Sequence, residues 1–214
     1  WGEELSHNPE NINWINSIPN DKFKITFAGN IGIAQSIDTI FEAAILLKEN
    51  NEILFLIVGD GRELERLKKQ AKDINLNNII FFGRKQFQDM ATLFQKSDAL
   101  LVTLKKQEIS EKTIPAKAVQ YLAAKKPIIS GTGGITNELI TQAQAGLTVE
   151  PENPKELAAA ILSLSKISNE DREKMGENAY TFFKQNFTKK IIINKIEESL
   201  NVIQKKSLRK PQRL

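Results

Sequence analysis

The strongest constraint on the fold is a sixfold alternation between short apolar runs and longer segments of helical period, which begins at Lys22. The runs are rich in Ile, Val and Phe, and such continuous apolarity is typical of strands that are covered on both faces. The predicted strands are Phe23–Ala28, Ile53–Val58, Ile79–Phe82, Ala99–Thr103, Pro127–Ile129 and Gly146–Val149. The predicted helices that follow them are Ser36–Glu49, Arg62–Asp73, Phe87–Lys96, Pro115–Ala124, Thr136–Gln142 and Lys155–Ser165.

Strands that are joined through helices pair in parallel, with right-handed crossovers. The chain is therefore predicted to be an α/β protein with a doubly wound, parallel, six-stranded Rossmann-like sheet. After Ser165 only helices are expected, over Asn169–Asn186 and Lys189–Lys206. The opening segment has two prolines and no sustained period. We interpret residues 1–20 as an interdomain linker, 21–188 as one Rossmann-like domain and 189–214 as a C-terminal helix with a basic tail.

The composition argues against several kinds of site. The 214 residues include no cysteine and one histidine, His7, so no disulfide or thiolate metal site can form and a histidine-based zinc site is not expected. We therefore expect neither a metal nor a cofactor. No apolar run approaches the roughly 20 residues that cross a bilayer, so a cytoplasmic chain is expected. The first residue is Trp1, which predicts an excised or processed chain that lacks an upstream segment.

The net charge is modest at +4, and much of the basic excess lies at the C-terminus. The basic residues of this tail are Lys205, Lys206, Arg209, Lys210 and Arg213. Two interpretations stay open: a solvated, disordered terminus, or a weak electrostatic contact with anionic lipid at the inner face of the cell membrane. Nucleic acid is not expected as a partner, because the body of the chain has no basic stripe interleaved with aromatic residues.

Glycine-rich turns follow most of the predicted strands. Ligands of open α/β sheets bind beyond the carboxyl ends of the strands, so these turns form the candidate binding rim. They are Gly29-Asn30-Ile31-Gly32, Gly59-Asp60-Gly61-Arg62, Gly83-Arg84-Lys85 and Gly131-Thr132-Gly133-Gly134. A single glycine can serve only to relieve a tight turn, whereas several on one rim favour a ligand that approaches the backbone closely. The first turn lacks the third glycine of the dinucleotide fingerprint, and the chain has no P-loop.

The start of the predicted helix Pro115–Ala124 has the chemistry of an anion site. Proline suits a first helical turn, and Lys117 then lies beside the free backbone amides at the positive end of the helix dipole. Phosphate binds well at such a helix N-terminus. One turn further along, Gln120 has an amide that can bind ribose hydroxyls. The alternative is an ordinary amphipathic helix with a proline start and a solvated lysine.

Together these motifs resemble the C-terminal domain of retaining, family-four-like glycosyltransferases of the GT-B type. The resemblance covers Lys22 to about Ser165, and it is specific in combination rather than in any single element. It rests on Gly29-Asn30-Ile31-Gly32, Val58-Gly59-Asp60-Gly61, Phe82-Gly83, Ser97-Asp98-Ala99, Pro115-Ala116-Lys117 with Gln120-Tyr121-Leu122-Ala123 and Lys126-Pro127, then Gly133-Gly134 and Gly146-Leu147. The similarity is greatest to the bacterial branch that uses UDP-N-acetylfucosamine or UDP-N-acetylglucosamine.

The resemblance implies that the glycine turns bind a nucleotide-sugar donor. The turn after the first strand would meet the diphosphate, and the turn after the third strand would meet the base. The donor-binding residues implied are Gly29, Asn30, Gly32, Gly59, Gly83, Arg84, Pro115, Lys117 and Gln120.

This sequence departs from the family in the residues that usually contact the sugar. The common signature has two glutamates separated by seven residues, the first touching the donor sugar and the second the ribose; their places here hold Lys112 and Gln120. A basic pair that often follows the first strand is matched only by Asn30 and Gln35. Two interpretations of these departures are open: a subfamily in which Lys117 neutralises the phosphate, which the resemblance to a recognised branch favours, or a domain that binds its donor poorly. Together with Glu111, a candidate sugar contact, Lys117 and Lys112 form the predicted catalytic set.

The activity implied is transfer of a sugar, with retention, from a UDP-sugar to a cell-surface polysaccharide or a lipid-linked acceptor. A missing N-terminal domain would hold the acceptor, so the chain alone is expected to bind donor and to turn over little. The alternatives are a noncatalytic nucleotide-binding or subunit-completing module, and a sugar-nucleotide epimerase. An epimerase would be expected to have histidine and carboxylates on the rim, which this sequence does not offer.

Overall fold

The structure, a computed structural model, describes residues 13–208, with side chains to residue 201. Its centre is a six-stranded sheet in the order β3-β2-β1-β4-β5-β6, and every neighbouring pair is parallel. The strands are β1 (Phe23–Ala28), β2 (Ile53–Val58), β3 (Ile79–Gly83), β4 (Ala99–Thr103), β5 (Ile128–Gly131) and β6 (Gly146–Thr148). This order confirms the predicted doubly wound, Rossmann-like sheet, in which the order of the strands reverses between β1 and β4.

Helices cover both faces of the sheet. They are α1 (Asn13–Asn16), α2 (Ile37–Leu46), α3 (Leu64–Asp73), α4 (Met90–Lys96), α5 (Glu108–Glu111), α6 (Ala116–Ala123), α7 (Gly134–Gln142), α8 (Pro154–Lys166), α9 (Asn169–Asn186) and α10 (Lys189–Leu208). Short 3-10 turns at Ile33–Gln35 and Phe87–Asp89 precede α2 and α4. No helix within the described residues is both long and apolar enough to cross a bilayer.

Two hydrophobic clusters lie on opposite faces of the sheet, because successive side chains of a strand point to opposite sides. On β2, Phe55 and Ile57 join the cluster that α2 and α8 cover, while Leu54 and Leu56 join the cluster that α6 and α9 cover. All six residues of β2 are buried. The apolar run that the sequence shows there is therefore explained by burial on both faces.

The segment before β1, which the sequence predicts to be a linker, packs on the body of the domain. Residues 13–20 belong to the expected linker, yet they begin with the short helix α1 and insert Ile15 and Ile18 into the second cluster, with 0 % and 4 % of their surfaces exposed. The physical reason is the apolar spacing of Trp14, Ile15 and Ile18, which gives one turn of helix an apolar face. The part of the linker before residue 13, with His7, lies outside the described residues.

The C-terminal helices follow the prediction closely. Ser168 caps α9, since its hydroxyl accepts from the backbone N–H of Asp171 at 3.1 Å. The following helix, α10, leaves Ile196 and Leu200 more than half exposed. The basic side chains of the tail, from Lys205 onward, lie outside the side chains that the structure describes.

Candidate functional site

The turns after β1 and β2 touch each other through their backbones. Gly59 has a φ of +140°, and a Cβ atom there would lie 1.8 Å from the carbonyl oxygen of Gly29. Backbone hydrogen bonds join the same turns. The Gly29 N–H donates to the carbonyl oxygen of Val58 at 2.9 Å, and the Ile31 N–H donates to the carbonyl oxygen of Asp60 at 2.8 Å. Only glycine fits at position 59, because any side chain would force the two turns apart.

A cleft of about 570 Å³ opens above these turns, at the carboxyl ends of β1, β2 and β3. Five of the predicted donor-binding residues line it: Gly29, Asn30, Gly59, Arg84 and Gln120. Its other lining residues are Ala28, Val58, Asp60, Lys85, Phe87, Met90 and Phe94. Apolar and cationic side chains thus line one opening, which suits a ligand with a flat apolar part and an anionic part.

Lys117 lies under the first turn. Its Nζ is 3.9 Å from the centre of the Phe27 ring, and a Cβ atom on Gly29 would lie 2.8 Å from that same Nζ. The ammonium is buried and has no hydrogen-bond acceptor among the residues that the structure describes. Burial lowers the pKa of Lys117 to about 7, because the charged form loses its hydration.

The helix that carries Lys117 begins as its sequence predicts, with a shift of one residue. Pro115 is the N-terminal capping residue, with a φ of −66°, and the helical residues start at Ala116. Lys117 is therefore in the first turn of α6, where backbone N–H groups have no helical partner. Pro115 itself does not line the cleft.

Tyr121 joins α6 to the end of β1, a role that was not predicted from the sequence. Its hydroxyl accepts from the backbone N–H of Ala28 at 3.0 Å and donates to the Ala28 carbonyl at 3.2 Å. The residue is 1 % exposed. In the sequence it is one more ring on an apolar helix face, so only its polar tip could have indicated this role.

Asn30 is held in place inside the first turn. Its side-chain amide donates to Gln35 Oε1 at 2.9 Å, and a Cβ atom on Gly32 would lie 2.8 Å from the Asn30 amide nitrogen. Gly32 does not line the cleft; it leaves the room that Asn30 occupies. Asn30 and Gln35 therefore bind each other through neutral side chains, at the place where the family often has a basic pair.

The turn after β3 lines two adjoining cavities. Gly83 has a φ of +66°, and its carbonyl accepts from the Gly59 N–H at 2.9 Å, so Gly83 supports the rim without lining the cleft. Arg84, Lys85 and Phe87 line both the main cleft and a second cavity of about 650 Å³. The remaining residues of the second cavity are Trp14, Gln86 and Asp89.

The three predicted catalytic residues are not brought together. Glu111 ends the short helix α5, and Lys112 follows it; both are exposed and neither lines the main cleft. The Lys112 ammonium pairs with Glu108 at 2.5 Å. Glu111 packs on the start of α7, where a Cβ atom on Gly134 would lie 2.1 Å from the Glu111 carbonyl oxygen. Lys117 alone lies at the first turn.

The arrangement can stabilise an anion by electrostatics. Arg84 and Lys85 line the cleft, whereas Lys117 does not line it and lies beside Gly29, which does. Asp60 is the only carboxylate among the described residues that line it. Donors fixed before a ligand arrives stabilise negative charge without reorganising. Within residues 13–208, no group of three or more histidines or carboxylates could hold a metal ion.

Comparison with known proteins points to one family. The sequence profile of the family described as Glycosyl transferases group 1 matches residues 8–182, which is most of the chain. Among curated relatives, WcaI of Escherichia coli (strain K12), a candidate colanic acid biosynthesis glycosyl transferase, is 30% identical over 152 residues. That match covers 67% of this chain and 36% of WcaI.

Solved structures share the fold. The Anabaena protein Alr3699/HepE in complex with UDP superimposes with a TM-score of 0.73 at 20% identity, over 85% of this chain and 49% of that one. The C-terminal domain of a glycosyl transferase group 1 family protein, LpcC of Francisella tularensis, gives a TM-score of 0.68 at 22% identity, over 82% of this chain and 91% of that domain. The chain spans less than half the length of the first curated relatives it matches.

Proposed function

The chain belongs to the family of glycosyl transferases group 1, and we propose that it is the donor-binding, C-terminal domain of a GT-B enzyme that transfers a sugar from a UDP-sugar. The superposition on the LpcC C-terminal domain covers 82% of this chain and 91% of that domain. The HepE structure, which has the same fold in this region, contains UDP. The donor would bind in the cleft at the carboxyl ends of β1, β2 and β3.

One observation carries this proposal: the Lys117 ammonium is buried beside Gly29 with no acceptor in the described part of the chain. An unpaired buried cation is costly, and a protein normally pairs it or neutralises it. A diphosphate at the first turn would supply the missing negative charge. The lysine has a long, rotatable side chain, so its ammonium can turn from the Phe27 ring toward that anion.

The rest of the donor would follow the cleft. The diphosphate would lie against the backbone of Gly29 and Asn30 and the first turn of α6, where amides and the helix dipole favour an anion. The amide of Gln120, which lines the same cleft, would bind the ribose. The base would reach the turn of Gly83 and Arg84, beside the apolar wall of Phe87 and Met90.

During transfer, negative charge would develop on the leaving diphosphate. Lys117 and the amides of the first turn would stabilise it without a metal. Glu111 and Lys112 would meet the donor sugar from the segment between β4 and α6, if that segment closes over the cleft. We propose retention at the anomeric carbon and transfer of a hexosyl or N-acetylaminosugar group, both on the resemblance of the motifs alone.

The acceptor and its domain are further parts of the proposal. WcaI, by its name, acts in colanic acid biosynthesis, so we propose an acceptor in cell-surface polysaccharide or one that is linked to lipid. The chain spans less than half of such relatives. We propose that a second α/β domain holds the acceptor, and that closure of the two completes the site.

Calorimetric titration of the 214-residue chain tests donor binding. The titrants are UDP, UDP-N-acetylglucosamine, UDP-glucose, ADP and NAD, with uridine as the neutral reference. We expect UDP and a UDP-sugar to bind, uridine to bind much more weakly, and NAD not to bind. Preference for NAD, or no affinity for any nucleotide, would overturn the proposal. Donor binding without turnover when the acceptor domain is supplied would favour the noncatalytic module.

A further inference from the structure

The helix α1 is attached to the nucleotide cleft through an aromatic contact. The ring centres of Trp14 and Phe82 are 4.9 Å apart and tilted by 55°. Phe82 lies in β3, one residue before the turn of Gly83 and Arg84. The buried Ile15 fixes the helix on the body, and α1 packs against α4. A segment that precedes the sheet therefore contacts the rim where the nucleoside would bind.

Trp14 also holds a lysine that lines the cleft. The Nζ of Lys85 lies 4.8 Å from the centre of the Trp14 ring, within the range of a cation–π contact. Lys85 has no ion pair and no hydrogen bond within the described residues, so this ring is the one ordered partner of its ammonium there. A lysine without a partner samples many rotamers in solvent. The indole ring restricts Lys85 to the wall that the two cavities share.

The indole N–H shows that packing alone does not account for Trp14. The Nε1 atom of Trp14 is buried and has no acceptor among residues 13–208. An unsatisfied buried donor is unfavourable, and a phenylalanine would fill similar space without one. Tryptophan is, however, the side chain that binds cations most strongly through its ring. The contact with Lys85 is the property that phenylalanine would reproduce least well.

We propose that Trp14 is a positioning residue for the donor: it holds the Lys85 ammonium at the nucleoside end of the cleft, where Lys85 contacts the bound nucleotide. This inference rests on the proposed function, because it assumes that a nucleotide occupies the cleft. It adds a residue outside the sheet to the binding site. Any change that moves α1 on the body would then change donor affinity.

A double-mutant cycle on UDP affinity tests the proposal. The variants are Trp14→Leu, Lys85→Met and the double variant, with Trp14→Phe as the conservative replacement. We expect each single variant to weaken UDP binding roughly twofold to fivefold, and the double variant to bind no worse than Lys85→Met alone. Trp14→Phe should fall between wild type and Trp14→Leu. Lys69→Met, a change of an exposed lysine on α3, is the matched control and should bind UDP as wild type does.

Different outcomes separate the inference from the function on which it rests. If wild type binds no UDP, the proposed function fails. If wild type binds UDP and the effects of Trp14→Leu and Lys85→Met simply add, or Lys85→Met has no effect, the positioning role of Trp14 is wrong. A lower melting temperature for Trp14→Leu does not alter this conclusion, because Lys85→Met tests the same contact from a side chain that is only partly buried.

Discussion

The Tyr121 hydroxyl binds both backbone groups of Ala28, accepting from its N–H at 3.0 Å and donating to its carbonyl at 3.2 Å. Ala28 ends β1 directly before Gly29, and Tyr121 lies one turn of α6 beyond Lys117. One side chain thus sets the distance between the first turn and the helix that together form the proposed diphosphate site. Burial raises the pKa of Tyr121 far above its usual value, so the hydroxyl keeps its proton.

Replacement of this hydroxyl should cost stability. In Tyr121→Phe both groups of Ala28 lose a partner, and we expect the free energy of unfolding to fall by about 1–3 kcal/mol. Urea denaturation followed by circular dichroism measures this loss. The chain has one other tyrosine, Tyr180, whose ring stacks on Phe183. Tyr180→Phe is the matched control and should change stability much less; an equal loss would mean that the bond to Ala28 contributes nothing.

Lys117 should matter for phosphate and not for the nucleoside. We expect Lys117→Met to weaken UDP binding roughly tenfold to a hundredfold, because a charged hydrogen bond is lost, and to leave uridine binding unchanged. Calorimetry with both ligands measures the difference. Lys112→Met removes a lysine that pairs with Glu108 in an exposed position, and it should affect UDP far less. Equal weakening of UDP and uridine by Lys117→Met would remove Lys117 from the phosphate site.

The lowered pKa of Lys117 predicts how stability depends on pH. Its pKa is about 7 in the folded chain and about 10.4 when unfolded, so between these values the unfolded state binds one more proton. This group therefore makes the protein more stable as pH rises, by about 1.4 kcal/mol per pH unit inside that window, and it has no effect on the slope below pH 7.

The measurement is a comparison of wild type with Lys117→Met from pH 6 to pH 9.5 by urea denaturation. The methionine variant does not titrate at this position. We expect it to be the more stable protein at pH 6 and its advantage to shrink as pH rises. A constant difference over the whole range would show that the ammonium keeps an ordinary pKa.

The contact between the first two turns predicts a strong difference between two glycines. A Cβ atom on Gly59 would lie 1.8 Å from the Gly29 carbonyl oxygen, whereas one on Gly83 would meet nothing within 4 Å. Both residues have a positive φ. Gly83→Ala should therefore lose only about 1–2 kcal/mol from backbone strain. Gly59→Ala should lose about 3 kcal/mol or more and should bind UDP poorly, because the turns must separate.

Thermal denaturation and calorimetry of the two alanine variants provide the test. Both substitutions place a side chain at a positive φ, +66° at Gly83 and +140° at Gly59, and only Gly59→Ala adds a collision with the Gly29 carbonyl oxygen. Similar stability for the two variants would mean that the turns can separate without cost.

Local pattern predicted most of the fold. The bounds of β1, β2 and β4 agree with the sequence, because an apolar run buried on both faces is bounded sharply by polar or glycine residues. β5 starts one residue later and ends two residues later than predicted, at Gly131, which carries little hydrophobic signal. β6 ends at Thr148, one residue before the predicted end at Val149. The cap of α9 at Ser168 was equally local and equally predictable.

Contacts between distant residues were not predictable in this way. Tyr121 binds Ala28 across 93 positions of sequence, and no periodicity relates the two. Trp14 meets Phe82 from a segment that has no sustained pattern, so it was interpreted as a linker. The predicted glycine turns lie beside a cleft, but which of their residues line it depends on how the turns pack, as Gly32 and Gly83 illustrate.

The solitary ammonium under the first turn has a consequence for anyone who engineers this domain. A screen that rewards heat resistance should repeatedly select an aliphatic replacement at position 117, since such a chain escapes the dehydration of a charge. The selected proteins would fold and express well but would not bind phosphate. Robustness and ligand recognition therefore pull in opposite directions at this single position.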